Sequence, residues 1–149
     1  MDWCDVFPNL AVEGYQIESP PTKNYNCIAW AANQTDKWWW PGPGPPYYDY
    51  WPPNIPRQVS NKCFIEAFQL MGYEPCEDPA YEAGYEKVAL YVDASGEPTH
   101  MARQLPNGGW TSKLGESHDI RHETLHGLEG EAYGHITLIL KRPNQKTNR

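Results

Sequence analysis

The pattern of hydrophobic and polar positions predicts a helical first half and a β-rich second half. Residues 60–72 place apolar side chains, among them Phe64 and Phe68, three to four residues apart, which is typical of a helix with one buried face. Ser60 is a suitable N-cap and Gly72 a suitable stop. A shorter helix is predicted over 26–35, where Asn26 precedes an alanine-rich stretch.

The second half of the chain alternates in the manner of β-strands. An Asn-Gly pair between two such runs favours a hairpin. The predicted strands are 87–92, 99–105, 110–113 and 135–140, and a short helix is predicted over 119–128. The sum is an α+β domain in which N-terminal helices pack on an antiparallel β-sheet.

Three segments lack a regular period. Residues 1–23 are expected to form an irregular N-terminal arm, and residues 143–149 a flexible tail. Residues 38–58 are rich in tryptophan, tyrosine and proline, which indicates a long loop that either forms the rim of a cleft or seals one end of the core. A length of 149 residues fits a single domain over 1–149.

Composition narrows the classes of function. A net charge of -7 argues against nucleic acid as a partner, since phosphate binding needs basic patches. The chain has no apolar run of about 18 residues and no leader-like start, so we expect no membrane association and a cytoplasmic location. The four cysteines include no Cys-x-x-Cys pair, so reduced thiols are expected, with no cofactor and no metal.

Cys27 stands at the predicted start of the first helix. Unpaired N–H groups and the positive end of the helix dipole favour its thiolate, which is the nucleophilic form. His100 lies in a later predicted strand and is a suitable general base for such a thiol. The alternative for Cys27 is a small, buried apolar role.

Five stretches resemble an uncharacterised bacterial domain family over residues 20–142. The overall layout is similar to papain-like or NlpC/P60-like cysteine peptidases, although Asn26 and Ile28 replace the residues that flank the cysteine in NlpC/P60 enzymes. The stretches are 26–31 (Asn-Cys-Ile-Ala-Trp-Ala), 38–41 (Trp-Trp-Trp-Pro), 85–91, 99–105 and 110–115.

The resemblance implies hydrolysis or acyl transfer at an amide bond of a peptide or protein substrate. Cys27 would be the nucleophile and His100 the base. The third residue that orients the histidine would be Ser112, on the strand after the histidine hairpin, or Asp119, whose carboxylate holds an imidazolium more strongly.

The side chains expected to line a substrate cleft include two polar groups and three tryptophans. Lys113 would bind a substrate carboxylate or carbonyl, with a surface lysine as the alternative. The full set is Asn26, Trp30, Trp40, Trp110 and Lys113.

Two other functions are compatible with the sequence. His118, His122 and His126 recur every four residues and would share one face of a helix, as zinc ligands can; solvent-facing histidines are the simpler interpretation. A non-enzymatic binding module is the other alternative, with the aromatic segment holding a peptide, a glycan or a protein. The sequence does not determine the oligomeric state.

Overall fold

A seven-stranded antiparallel sheet organises the computed structural model, which describes residues 2–44 and 49–145. The order across the sheet is β1-β8-β7-β6-β5-β9-β4. These strands are β1 (Tyr15–Ser19), β4 (Glu74–Cys76), β5 (Tyr85–Val92), β6 (Pro98–Gln104), β7 (Trp110–Lys113), β8 (Asp119–His122) and β9 (His135–Pro143). Two-residue strands β2 (Trp38–Trp39) and β3 (Asp49–Tyr50) pair in parallel within the aromatic segment.

Within the described residues, four short α-helices and one 3-10 helix accompany the sheet. They are α1 (Trp3–Val6), α2 (Leu10–Glu13), α3 (Cys27–Ala31), α4 (Asn61–Gln69) and the 3-10 helix Leu125–Leu128. The Ser60 hydroxyl caps α4 by accepting from the N–H of Cys63 at 3.2 Å, as the sequence predicted.

Each face of the sheet has its own hydrophobic core. On one face, Leu90 and Met101 pack with α3, α4 and the aromatic segment; we call this the α3 face. On the other, Tyr91 and Ile120 pack with α1, α2 and the 3-10 helix; we call this the α1 face. Residues 88–92 of β5 are buried without interruption because this strand is covered on both faces. The predicted α+β class and the antiparallel sheet are confirmed.

Two predictions about local structure were wrong. The N-terminal arm is not irregular, since it forms α1, α2 and β1, and β1 pairs with β8 at one edge of the sheet. Residues 119–128 do not form one helix. Residues 119–122 form β8, which pairs with β1 on one side and β7 on the other. Three of its four residues are buried and Arg121 is exposed, since both faces of the strand are largely covered.

The other predicted elements are present with shifted bounds: α3 and α4 end earlier than predicted, and β9 extends into the start of the predicted tail. Strand β9 continues through Pro143, and the N–H of Asn144 donates to Gly84 O at 2.9 Å. Residues 146–149 of the predicted tail and 45–48 of the aromatic segment lie outside the described residues. In the part of the chain that the structure describes, no helix has the length and apolarity needed to span a membrane.

Candidate functional site

Cys27 is the first residue of α3 and is almost fully buried, with 8% of its surface exposed. Burial raises the pKa of its thiol to about 11, while the backbone N–H groups of Met101, Ile28 and Cys27 itself act in the opposite direction. The Lys113 ammonium also lowers the thiol pKa. At neutral pH the residue is therefore a thiol surrounded by groups that would stabilise its anion.

Strand β6 parts from β7 beside Cys27. The β6–β7 ladder consists of Arg103 with Thr111 and Gln104 with Trp110, whereas β6 pairs with β5 as far as Pro98. Among the described residues, the first half of β6 therefore has no ladder partner on its β7 side. The Met101 amide that acts on the Cys27 sulfur belongs to this stretch, so the thiol lies at the opening between the two strands.

His100 precedes Met101 on β6 and is fully buried. Its imidazole is stacked on Tyr133, with ring centroids 4.1 Å apart and planes 7° from parallel, and it meets Tyr91 edge-on at 5.3 Å. Neither ring nitrogen has a hydrogen-bond partner among the described residues. Burial, with a smaller contribution from His122, holds the pKa of His100 well below its usual value, so the ring is neutral at pH 7.

The predicted dyad is not hydrogen-bonded in this structure. His100 pairs with Tyr91, which belongs to the core of the α1 face, whereas Met101 packs with Cys27 on the α3 face. Successive side chains of a strand point to opposite faces, so imidazole and thiol approach β6 from different sides. The opening between β6 and β7 lies between them.

The two candidates for the third residue have other partners. Ser112 lies on the same face of the sheet as His100, but its hydroxyl forms a 2.8 Å hydrogen bond with His122 Nε2. Asp119 lies on the α3 face, where its Oδ2 accepts from the Tyr25 hydroxyl at 2.7 Å. Its Oδ1 is buried with no partner among the described residues. Neither side chain bonds to His100.

Lys113 is buried rather than at the surface. Its Nζ donates to Thr22 O at 2.8 Å and to Gly115 O, and it lies 5.1 Å from the centre of the Tyr25 ring. Burial lowers the pKa of Lys113, against the attraction of Asp119 and of Cys27. Its position places a positive charge near the sulfur.

Asn26 holds the start of α3 against the aromatic segment. Its Oδ1 accepts from the N–H groups of Ala29 at 3.2 Å and Trp39 at 3.0 Å, and its Nδ2 donates to Trp39 O at 2.7 Å. These three bonds give the side chain a structural role next to Cys27.

The three predicted cleft tryptophans lie in different places. Trp30 is on the α3 face, stacked on Tyr25 at 5.5 Å, and its indole donates to Thr111 Oγ1 at 3.0 Å. Trp40 packs edge-on to Phe64 at 5.6 Å. Trp110 is buried in the core of the α1 face. Of the three, only Trp30 shares the immediate surroundings of Lys113 and Asp119.

The three histidines of the zinc alternative do not share a helical face, because the predicted helix is absent. His118 precedes β8 and bonds through Nδ1 to Ser19 O at 3.0 Å. His122 is in β8, and His126 is an exposed residue of the 3-10 helix. In residues 2–44 and 49–145 no cluster of metal-ligating side chains occurs.

Two aromatic residues of the site, Tyr25 and Tyr133, were not predicted from the sequence. Tyr133 stacks on His100, and Tyr25 links Asp119, Lys113 and Trp30. Tyr25 lies two residues before Cys27, which was the available signal. The contact of Tyr133 depends on a loop that returns from a distant part of the chain, so no local pattern indicates it.

Acid is expected to destabilise the protein through its buried histidines. Burial lowers the pKa of His100 and of His122, so the unfolded chain binds protons below pH 6.5 that the folded chain does not. Stability is therefore lost as the pH falls below that value, by up to about 1.4 kcal/mol per pH unit for each histidine. Urea unfolding between pH 5 and 7 should show a shallower pH slope in His100→Gln than in wild type. Replacing the exposed His135 by Gln should leave the slope unchanged, and equal slopes in all three proteins would contradict the prediction.

The fold and site define an α+β domain with a seven-stranded antiparallel sheet. A buried cysteine begins the helix α3 that packs on this sheet, and a buried histidine on β6 has no hydrogen-bond partner among the described residues. The sequence model of the family described as "Domain of unknown function (DUF7689)" matches residues 16–141, so the chain belongs to this family. No curated protein and no solved structure matches the sequence. The prediction that the chain belongs to an uncharacterised domain family is thus confirmed.

Proposed function

We propose that the protein is a thiol-dependent hydrolase that acts on an amide bond of a peptide or protein, as a peptidase, amidase or deamidase. Cys27 is the nucleophile and His100 the base. The proposal rests on the position of the Cys27 sulfur, whose pKa is lowered by the backbone N–H of Met101. The residue before Met101 is the buried His100, and neither nitrogen of its imidazole has a hydrogen-bond partner in the described part of the chain. Buried polar groups normally find partners, and a base kept free for a proton accounts for this exception.

The protonation states suit a general-base mechanism. A thiol whose pKa is raised and an imidazole whose pKa is lowered are both neutral at pH 7. Attack on a substrate carbonyl would transfer the thiol proton to His100 as the carbon–sulfur bond forms. The backbone N–H groups of Ile28 and Cys27 are then available to the oxyanion, and the Lys113 ammonium favours the negative charge.

The proposal requires the imidazole to reach the sulfur through the opening between β6 and β7. The short β6–β7 ladder leaves that border of β6 free, and the aromatic contacts with Tyr91 and Tyr133 are the interactions His100 would exchange. His100 would then return its proton to the leaving amine as the carbon–nitrogen bond breaks, which leaves a thioester on Cys27. Attack by water on that thioester would release the carboxylic acid and restore the Cys27 thiol.

Alkylation by iodoacetamide tests the proposal, because Cys63 supplies an internal control. Cys63 is also buried, in the core of the α3 face, and is free. Peptide mapping at pH 7 should show that Cys27 is modified at least about tenfold faster than Cys63. This is a conservative expectation, because general-base catalysis usually raises a rate by more than that. His100→Ala should remove most of this difference, while the exposed His135→Ala should not. Equal labelling of the two cysteines, or no effect of His100→Ala, would refute the dyad.

A further inference from the structure

A cavity of about 370 Å³ lies between the aromatic segment and α4. Cys27 is not among the residues that line it. Its walls are mostly apolar and include Trp39, Tyr50, Pro52, Pro53 and Leu70. We call it the Trp39 groove. Leu70 is 63% exposed, which leaves a large apolar side chain in water at the edge of an apolar cavity. Such exposed apolar surface at a concavity is typical of a binding site.

The indole N–H of Trp39 sets this groove apart. It is buried and has no hydrogen-bond partner among the described residues. The indoles of Trp51 and Trp30 are satisfied, since they donate to Pro56 O and Thr111 Oγ1, each at 3.0 Å. A buried donor without an acceptor is unfavourable, and an acceptor supplied by a bound molecule would remove that cost.

The rim of the groove adds one charge and two amides. Among its described lining residues, Lys37 is the one charged side chain, and its Nζ lies 4.6 Å from the centre of the Tyr50 ring. Gln34 and Asn54 contribute amide groups, which match the N–H and C=O groups of a peptide backbone. On a chain of net charge -7, an isolated lysine at an apolar groove favours a ligand with a carboxylate.

We propose that the Trp39 groove docks an extended, proline-containing peptide segment that carries an acidic residue. Prolines pre-form the extended polyproline II conformation, and aromatic-lined grooves bind it by ring contacts and a hydrogen bond to a peptide carbonyl. The partly exposed Tyr50 ring provides the platform, the N–H of the buried Trp39 in the groove lining is the donor, and Lys37 pairs with the carboxylate. Docking here is independent of Cys27 chemistry, so it stands or falls separately from the proposed hydrolase.

Fluorescence anisotropy with a labelled probe, acetyl-Pro-Pro-Leu-Pro-Pro-Glu-amide, tests the proposal on the full chain. We expect saturable binding, weakened about tenfold by Leu70→Ser and by Trp39→Phe, each of which removes one apolar or hydrogen-bonding contact. Lys37→Met should abolish the preference for the Glu probe over its Gln counterpart. Val12→Ser, at a 93% exposed valine of α2, is the matched control and should bind as wild type.

Leu70 and Lys37 are exposed, so their variants test the groove without placing the fold at risk. The proposal is wrong if the wild-type chain does not bind the probe, or if Leu70→Ser and Lys37→Met bind it with unchanged affinity and preference. It is also wrong if an oligosaccharide such as cellohexaose binds at the groove and the peptide does not, because the site would then recognise sugars.

Discussion

Gly134→Ala is expected to destabilise the fold by more than about 4 kcal/mol, a large part of the stability of an ordinary domain. A Cβ at Gly134 would lie 1.8 Å from Val92 O and 2.9 Å from the Asp93 Cα. These are backbone atoms of β5 and its following turn, which cannot move aside as a flexible side chain can. Gly134 also has a φ of +81°, in the left-handed region that residues with a side chain disfavour.

The loop that ends at Gly134 also serves the candidate site. Gly130 and Gly134 form an isolated β-bridge, and between them Tyr133 is placed on the His100 ring. The Thr99 hydroxyl donates to Tyr133 O at 2.6 Å and ties the loop to β6. A side chain at Gly134 would therefore disturb both the sheet and the surroundings of the candidate base.

Gly84→Ala is the matched control for the Gly134 variant. Gly84 has a similar φ of +89°, but a Cβ there would meet no atom within 4 Å. Gly84→Ala should therefore lower the free energy of unfolding only by the left-handed backbone strain, about 1–2 kcal/mol. Urea unfolding followed by tryptophan fluorescence measures both free energies of unfolding. Similar losses in the two variants would show that the contact with Val92 is relieved by a small shift of the loop.

Elements with strong local patterns could be predicted from the sequence. Helix α4 carries both a cap and an apolar stripe, and β7 was predicted with its observed bounds, Trp110–Lys113. Strands β1 and β8 were missed because their stability comes from pairing with each other and with β7. The histidines around β8 have a four-residue spacing that imitates a helix, and the burial of Ile120 by its neighbours outweighs that local signal.

The orientation of the candidate site was harder to predict than its residues. Local pattern placed Cys27 at a helix start with Asn26 as its cap, and both features are present. The face to which His100 points is set by the regular register of β6 with β5, in which Leu90 pairs with Met101 and Tyr91 with His100. A shift of one residue would move the imidazole to the other face of the sheet, and the local sequence around His100 does not specify which register the two strands adopt.

Asn26→Ala is expected to lower the free energy of unfolding by about 3–5 kcal/mol, well beyond the loss of an ordinary helix cap. The side chain is 3% exposed and makes one bond to α3 and two to Trp39. Truncation leaves the N–H groups of Ala29 and Trp39 and the Trp39 carbonyl without these partners in a buried place. Each unsatisfied group costs about 1–3 kcal/mol.

Ser60→Ala provides the comparison for Asn26→Ala, because it truncates the N-cap of α4, where the side chain accepts one hydrogen bond, from the Cys63 N–H. It should cost about 1 kcal/mol. Urea unfolding of both variants separates the cap from the attachment of the aromatic segment, since only Asn26 performs both tasks. If Asn26→Ala costs no more than Ser60→Ala, the bonds to Trp39 add nothing to stability. If it costs the expected excess, the residue before Cys27 fixes the start of α3 against the wall of the Trp39 groove, and the candidate nucleophile and the proposed docking groove share one structural support.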